Sequence, residues 1–333
     1  MNGAVRCWHV QRTHDQRTVE WTERHPGRLA SANAAGIVIA MDATNPSSSP
    51  TFASRTPLHI GATALAVRDI ELVTRYYRVL LGLDEIERTA DTVRLGAGGV
   101  PFLALEHRPG FMPDDPRSAG LYHNAFLMPT RRDLARWIAH IIKHRIPVSG
   151  ASDHEVSEAI YLDDPEGNGV EVYCDRPASS WRWQDGLVTM VTEPLDLDAI
   201  LKQRDDTTSP YERAPDGLRI GHVHLHVGDV ERAEAFYSGI LGLDVVRRRG
   251  GATFMSSGGY HHHVGANVWR SPGAGLRDPR RAGLSWFAFE TADEAAHDAF
   301  LARLTSAGVA TSQDAGVTAF ADPWGNRIKL IRG

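Results

Sequence analysis

The chain has 333 residues, of which 42% are apolar and 23% charged, the balance of a globular protein of about two domains and not of a fibre or a disordered tail. Its 36 Lys and Arg against 41 Asp and Glu leave a formal charge of −5, which provides no broad basic face and argues against nucleic acid as a partner. No apolar run approaches the roughly 18–20 residues of a membrane helix, since Leu29 to Met41 is short and carries Ser, Asn and Gly. The only cysteines, Cys7 and Cys174, cannot build a disulfide framework, fit a reducing cytoplasmic location and are weak catalytic candidates.

In chain order, residues 1–55 mix Arg, His, Asp and Glu without a sustained apolar period and close on Asn45-Pro46-Ser47-Ser48-Ser49-Pro50, a linker composition. A disordered extension is expected there. The first twenty residues lack the apolar centre of a signal peptide, and Met41 is a candidate for an alternative start.

A repeat organises the remainder. Val67-Arg68-Asp69-Ile70, Tyr76-Tyr77 and Leu81-Gly82-Leu83-Asp84 recur as Val227-Gly228-Asp229-Val230, Phe236-Tyr237 and Leu241-Gly242-Leu243-Asp244, an offset of 160 (67 to 227). Asp164-Pro165-Glu166-Gly167-Asn168 recurs as Asp322-Pro323-Trp324-Gly325-Asn326, an offset of 158 (164 to 322). The two halves are therefore copies of one unit. In each copy the pattern reads strand, helix, then strands separated by turns: His222 to Val227 alternates with period two, and Val230 to Leu241 has helical spacing before Gly242 ends it. The α+β expectation is four βαβββ modules beginning near Leu58, Gly120, Leu218 and Gly283. They form an N-terminal two-module domain at 56–178 and a C-terminal one at 218–333, with 179–217 as connecting segment.

Four such modules, with the Val-x-Asp helix start, Leu-Gly-Leu-Asp after the helix and Asp-Pro-x-Gly-Asn before the last strand, resemble the vicinal oxygen chelate (glyoxalase, bleomycin resistance and dioxygenase) superfamily over about residues 57–333. Gly258-Gly259-Tyr260-His261-His262-His263 and Ile220 to His226 are most similar to its type I extradiol dioxygenases, the bacterial catechol 2,3-dioxygenase branch in particular. The resemblance implies two half-barrel module pairs and a metal, Fe(II) with Mn(II) as the alternative, held by two His and one carboxylate with open positions for substrate and O₂.

By that resemblance the ligands are His123, Glu171 and His222. The other modules offer Ala62, Trp286 and Lys329 at the corresponding places, none of which ligates a cation there. One metal per chain follows, and module two must pack against module three. The extradiol signature also matches His154, Tyr161, Asp164-Pro165, Gly167 and Glu171, departing at Ser152; it implies that Tyr161 and His154 hydrogen-bond the substrate oxygens. Their counterparts in module four are Ala319 and Ser312.

The 16 histidines cluster, and an extradiol enzyme needs one as acid/base near neutral pH. His261, His262 and His263, expected in a late strand of module three, are the candidates. The match favours His262, strand alternation places His261 and His263 on the opposite side, and the choice stays open. His224, on the same strand face as His222, is a substrate-binding candidate together with His261 and His263, and His226 shares that face. His59, His107, His140, His144 and His297 are assigned to ordinary surface or core positions.

The leading expectation is an iron-dependent extradiol dioxygenase that opens a small aromatic diol, catechol or a substituted catechol, with O₂; a homo-oligomer is compatible with the sequence. The alternatives are a metal-dependent glyoxalase-like isomerase or lyase and a non-catalytic binding protein on the same scaffold.

Overall fold

The computed structural model describes residues 50–204, 210–314 and 316–333. Module one is β1 (Leu58–Val67), α1 (Ile70–Leu81), β2 (Asp84–Arg88), β3 (Thr92–Ala97) and β4 (Val100–His107); module two is β5 (Gly120–Leu127), α2 (Arg131–Lys143), β6 (Gly150–Asp153), β7 (Ser157–Asp163) and β8 (Gly169–Asp175). The connecting segment holds β9 (Trp183–Gln184), β10 (Leu187–Val188) and α3 (Leu197–Leu201). Module three is β11 (Arg219–His226), α4 (Val230–Tyr237), β12 (Asp244–Arg249), β13 (Ala252–Ser256) and β14 (Val264–Asn267). Module four is β15 (Gly283–Thr291), α5 (Glu294–Ser306), β16 (Ser312–Asp314), β17 (Val317–Ala321) and β18 (Arg327–Arg332).

Two eight-stranded sheets result, ordered β16-β17-β18-β15-β1-β4-β3-β2 and β12-β13-β14-β11-β5-β8-β7-β6. Each is a curled half-barrel made of one module from either half of the sequence, four with one and two with three. The seams are antiparallel and equivalent: β1 faces β15 with Ala64 opposite Trp286, and β11 faces β5 with His224 opposite His123.

The recurring motifs connect modules within each half. Asp69 and Asp229 cap α1 and α4 by accepting from the amides of Leu72 and Arg232 at 2.9 and 2.7 Å. The Asp of each Asp-Pro-x-Gly-Asn turn accepts from two backbone amides of its own turn. It also receives the hydroxyl of the repeated helical tyrosine, Tyr237 to Asp322 at 2.9 Å and Tyr77 to Asp164 at 3.4 Å. The two motifs recur together because they touch.

Two expectations about local structure change. The helix in module three stops at Tyr237 and not at Leu241, because Ser238-Gly239 are poor helix formers. His261 to His263 lie in the connection between β13 and β14, outside either strand. Of the expected N-terminal extension, residues 1–49, including Cys7 and Met41, lie outside those described, as do residues 205–209 of the connecting segment. Residues 50–55 are described and belong to the folded body. Ala53 is 2% exposed, and the Phe52 ring packs on Trp181 and Tyr260 at 5.6 and 5.8 Å. Among the described residues no helix is long and apolar enough to cross a membrane.

His263 fastens this segment. The Ser257 amide donates to its Nδ1 at 3.3 Å, so its Nε2–H is the donor to the Ala53 carbonyl at 3.2 Å. Burial pushes the ring's pKa down to about 3, whereas the unfolded chain protonates near 6.5. The unfolded chain then binds the extra proton, so this contribution is complete above about pH 6.5. It falls by up to about 1.4 kcal/mol per pH unit on acidification towards pH 3. His263→Asn is expected to lower the melting temperature at pH 7.5 and to flatten its decline between pH 7 and 5; a decline as steep as that of the wild type would show that another group governs it.

Candidate metal centre

The β5–β11 seam carries His123 and His222 on adjoining strands, and β8, paired in parallel to β5 with Ala125 opposite Glu171, brings the carboxylate. The three are 6%, 2% and 3% exposed, so water does not solvate them. His123 Nε2 lies 3.0 Å and His222 Nε2 3.3 Å from Glu171 Oε2, and one donor atom of each residue falls within 4.8 Å of the others. Metal bonds of about 2.1 Å at right angles put neighbouring donors about 3.0 Å apart. His123 Nε2 is buried without a hydrogen-bond partner, a cost that a bound cation removes. Burial opposes ionisation of Glu171, but His222 and His123 beside it hold its carboxyl well below the usual range. His222 is pushed down to about 4, chiefly by burial and against the pull of Glu171. An ionised carboxylate and a neutral imidazole are the states that ligate a metal. Among the described residues no second group of this kind occurs.

A cavity of about 470 Å³ opens beside the three residues. His154 and Tyr161 line it as a coupled pair. His154 Nδ1–H donates to the Val191 carbonyl at 2.6 Å, so Nε2 accepts from the Tyr161 hydroxyl at 2.7 Å. Burial foremost, with Glu171 nearby, raises the Tyr161 pKa well above its ordinary value and keeps the hydroxyl protonated.

Of the three consecutive histidines only His262 lines the cavity, its ring 4.0 Å from that of His222. His261 and His263 are fully buried behind it. Neither is a wall residue, because the chain alternates sides as it enters β14. His261 Nε2–H donates to Asp175 Oδ1 at 2.8 Å, which leaves its Nδ1 to accept from His262 Nδ1–H at 2.8 Å. His262 Nε2 is thereby left with a free lone pair. Burial, reinforced by His222 and His261, keeps this ring neutral. His224 also lines the cavity and accepts from Asn267 Nδ2 at 3.0 Å, whereas His226 is occupied by Asn267 Oδ1 at 3.2 Å.

Sequence reasoning missed several wall residues. Met190, Val191 and Thr192 come from the connecting segment, which Asp153 and Glu193 tie to the edge of β6 by paired backbone hydrogen bonds. Arg247 and Arg249 come from the basic run that ends β12; Asp175, at the end of β8, stands behind the wall and holds His261. No periodic signal marks them. At the equivalent place in the other sheet, the Trp286 indole donates to Glu106 at 2.8 Å and Lys329 Nζ sits 4.1 Å from the Trp286 ring centre. A cation and an indole occupy that place.

Residues 59–172 and 219–330 match the model of the Glyoxalase/Bleomycin resistance protein/Dioxygenase superfamily. A catechol-2,3-dioxygenase of Bacillus subtilis (strain 168) is 39% identical over 234 residues, 69% of this chain and 81% of that protein. Among crystal structures, a dioxygenase candidate from Bacillus subtilis subsp. subtilis str. 168 aligns with a TM-score of 0.56 at 14% identity, over 84% of this chain and 86% of that one. Glyoxalase I from Zea mays aligns with a TM-score of 0.51 at 16% identity, over 84% and 94%. Those two likenesses concern the fold.

Metal analysis of protein loaded without air tests the centre. His123→Ala, Glu171→Ala and His222→Ala are each expected to lower bound divalent metal at least about tenfold, and Trp286→Ala to leave it unchanged. Equal loss in Trp286→Ala and His222→Ala would place the metal in the wrong sheet.

Proposed function

The chain belongs to the glyoxalase, bleomycin resistance and dioxygenase superfamily, and from that membership we propose that it is an extradiol ring-cleaving dioxygenase that acts on a catechol with O₂. The observation that carries this reading is the convergence on one cavity of His123, Glu171 and His222 with the Tyr161–His154 pair and the lone pair of His262. His123, Glu171 and His222 would hold Fe(II), and the iron would supply the one-electron chemistry that lets a diol and O₂ react.

The remaining steps belong to the protein. His262 Nε2 takes the proton of a diol hydroxyl and later returns it, with His261 and Asp175 behind it fixing which nitrogen is free. The Tyr161 hydroxyl stays protonated and donates its hydrogen bond to His154, so its oxygen accepts from the second diol hydroxyl and orients the ring. Phe254, 5.1 Å from His262 and 5.6 Å from His224 between ring centres, and Val156 and Met190 form apolar walls that limit water beside the reacting ring. A three-residue donor set supports this reading over a glyoxalase-like isomerase, for which a fourth protein ligand is common.

The test is oxygen uptake and a yellow ring-fission product on adding catechol and air to anaerobically iron-loaded protein. His262→Asn is expected to lower kcat about 10²–10⁴-fold while bound iron and catechol affinity persist. Tyr161→Phe is expected to lower kcat less, by about tenfold. Iron-loaded wild type that binds catechol and consumes no oxygen would overturn the reading.

A further inference from the structure

The cavity has a cationic wall that the chemistry above does not use. Arg247, Arg248 and Arg249 end β12, and the period of two turns the outer pair one way and the middle residue the other. Arg248 faces α4, where its Nε and Nη2 donate to the two oxygens of Glu234 at 2.8 and 2.7 Å, a neutralised fork. Arg247 and Arg249 line the cavity. Among the described residues no carboxylate pairs with either; Arg249 Nη1 donates to Thr192 Oγ1, another wall residue, at 2.6 Å. Arg247 Nε is buried and has no hydrogen-bond partner. A break in the β12–β13 register between Val245 and Arg247 marks an irregularity of the kind that re-aims strand side chains. Among the described residues Glu171 is the only carboxylate lining the cavity, and the metal triad uses it.

A half-buried guanidinium with an unsatisfied donor lacks the anion that such groups recognise in a two-pronged fashion. A wholly apolar or neutral ligand would bury this wall without pairing it, at a penalty to binding. The cavity therefore has two ends of different chemistry: an oxygen-binding end at His123, Glu171 and His222, and an anion-binding end at Arg247 and Arg249, with the apolar side chains of Val156, Met190 and Phe254 also in its wall.

We propose that the substrate is a catechol bearing an anionic substituent, whose carboxylate or like group is held by Arg247 with Arg249 beside it while the diol faces the metal end. The inference rests on the dioxygenase reading for the diol and on the arginines alone for the anion. Equilibrium binding to the full-length iron-loaded protein, without O₂, separates the two. The probes are catechol, 3,4-dihydroxybenzoate, 3,4-dihydroxyphenylacetate and the methyl esters of both acids.

The acids are expected to bind at least about tenfold more tightly than their esters. Arg247→Gln and Arg249→Gln are expected to reduce that ratio towards one, and Arg248→Gln to keep it. Wild type that binds ester and acid alike overturns the proposal, as does an undiminished ratio in Arg247→Gln. Admitting O₂ afterwards distinguishes the failures. Preferred acids that are not cleaved leave the anion site standing and sink the dioxygenase reading, whereas cleavage of plain catechol without preference for the acids does the reverse.

Discussion

The antiparallel seam between β5 and β11 is the constraint on which the site depends. It sets residues about a hundred positions apart side by side, with His224 opposite His123 and His222 opposite Ala125, and β8 then lies beside β5 in parallel so that Glu171 reaches both imidazoles. Neither module can assemble this set alone. Module two supplies a histidine and the carboxylate, module three the second histidine, and only register decides whether their donor atoms meet. Because strand faces alternate, a slip of one residue along the seam would turn these side chains to the other face.

The second sheet shows what backbone geometry alone contributes. Its β1–β15 seam repeats the same pairing, yet Trp286, Lys329 and Ala62 stand where the other sheet has His123, Glu171 and His222. The indole hydrogen bond to Glu106 and the ammonium over the ring make that site self-satisfied, with a cation already in place. The scaffold is thus duplicated and the chemistry is not. Fold and function separate cleanly here: the repeat fixes where a site would form, and a handful of side chains decide whether one does.

Much of this was legible in the residues. Period-two and helical patterns, punctuated by Gly82 and Gly242, placed the modules, whose first strands begin at Leu58, Gly120, Arg219 and Gly283. The family resemblance implied the triad, and the equivalent positions across the repeat, Ala62, Trp286 and Lys329, offered no alternative ligands. What escaped lacked periodicity or depended on which way a short segment turns. His261 to His263 read as a strand because alternation suits one, but they form the bend before β14, with His263 turned towards Ala53 and His262 towards the cavity. Arg247 and Arg249 were not singled out, because no local signal tells that Arg248 alone finds Glu234. Ala53 fell in the expected extension and Met190 in the connecting segment, and their burial follows from surfaces, such as Trp181 and Tyr260, that only tertiary structure brings near.

The chemistry of this site turns on where the cation sits. Crystals grown without air from iron-loaded protein, measured with X-rays on either side of the iron absorption edge, locate the ion independently of any activity. One anomalous peak per chain is expected, between β5, β8 and β11 and within bonding distance of His123, Glu171 and His222. A peak beside Trp286 in the other sheet, or none between these strands after anaerobic loading, would contradict this placement.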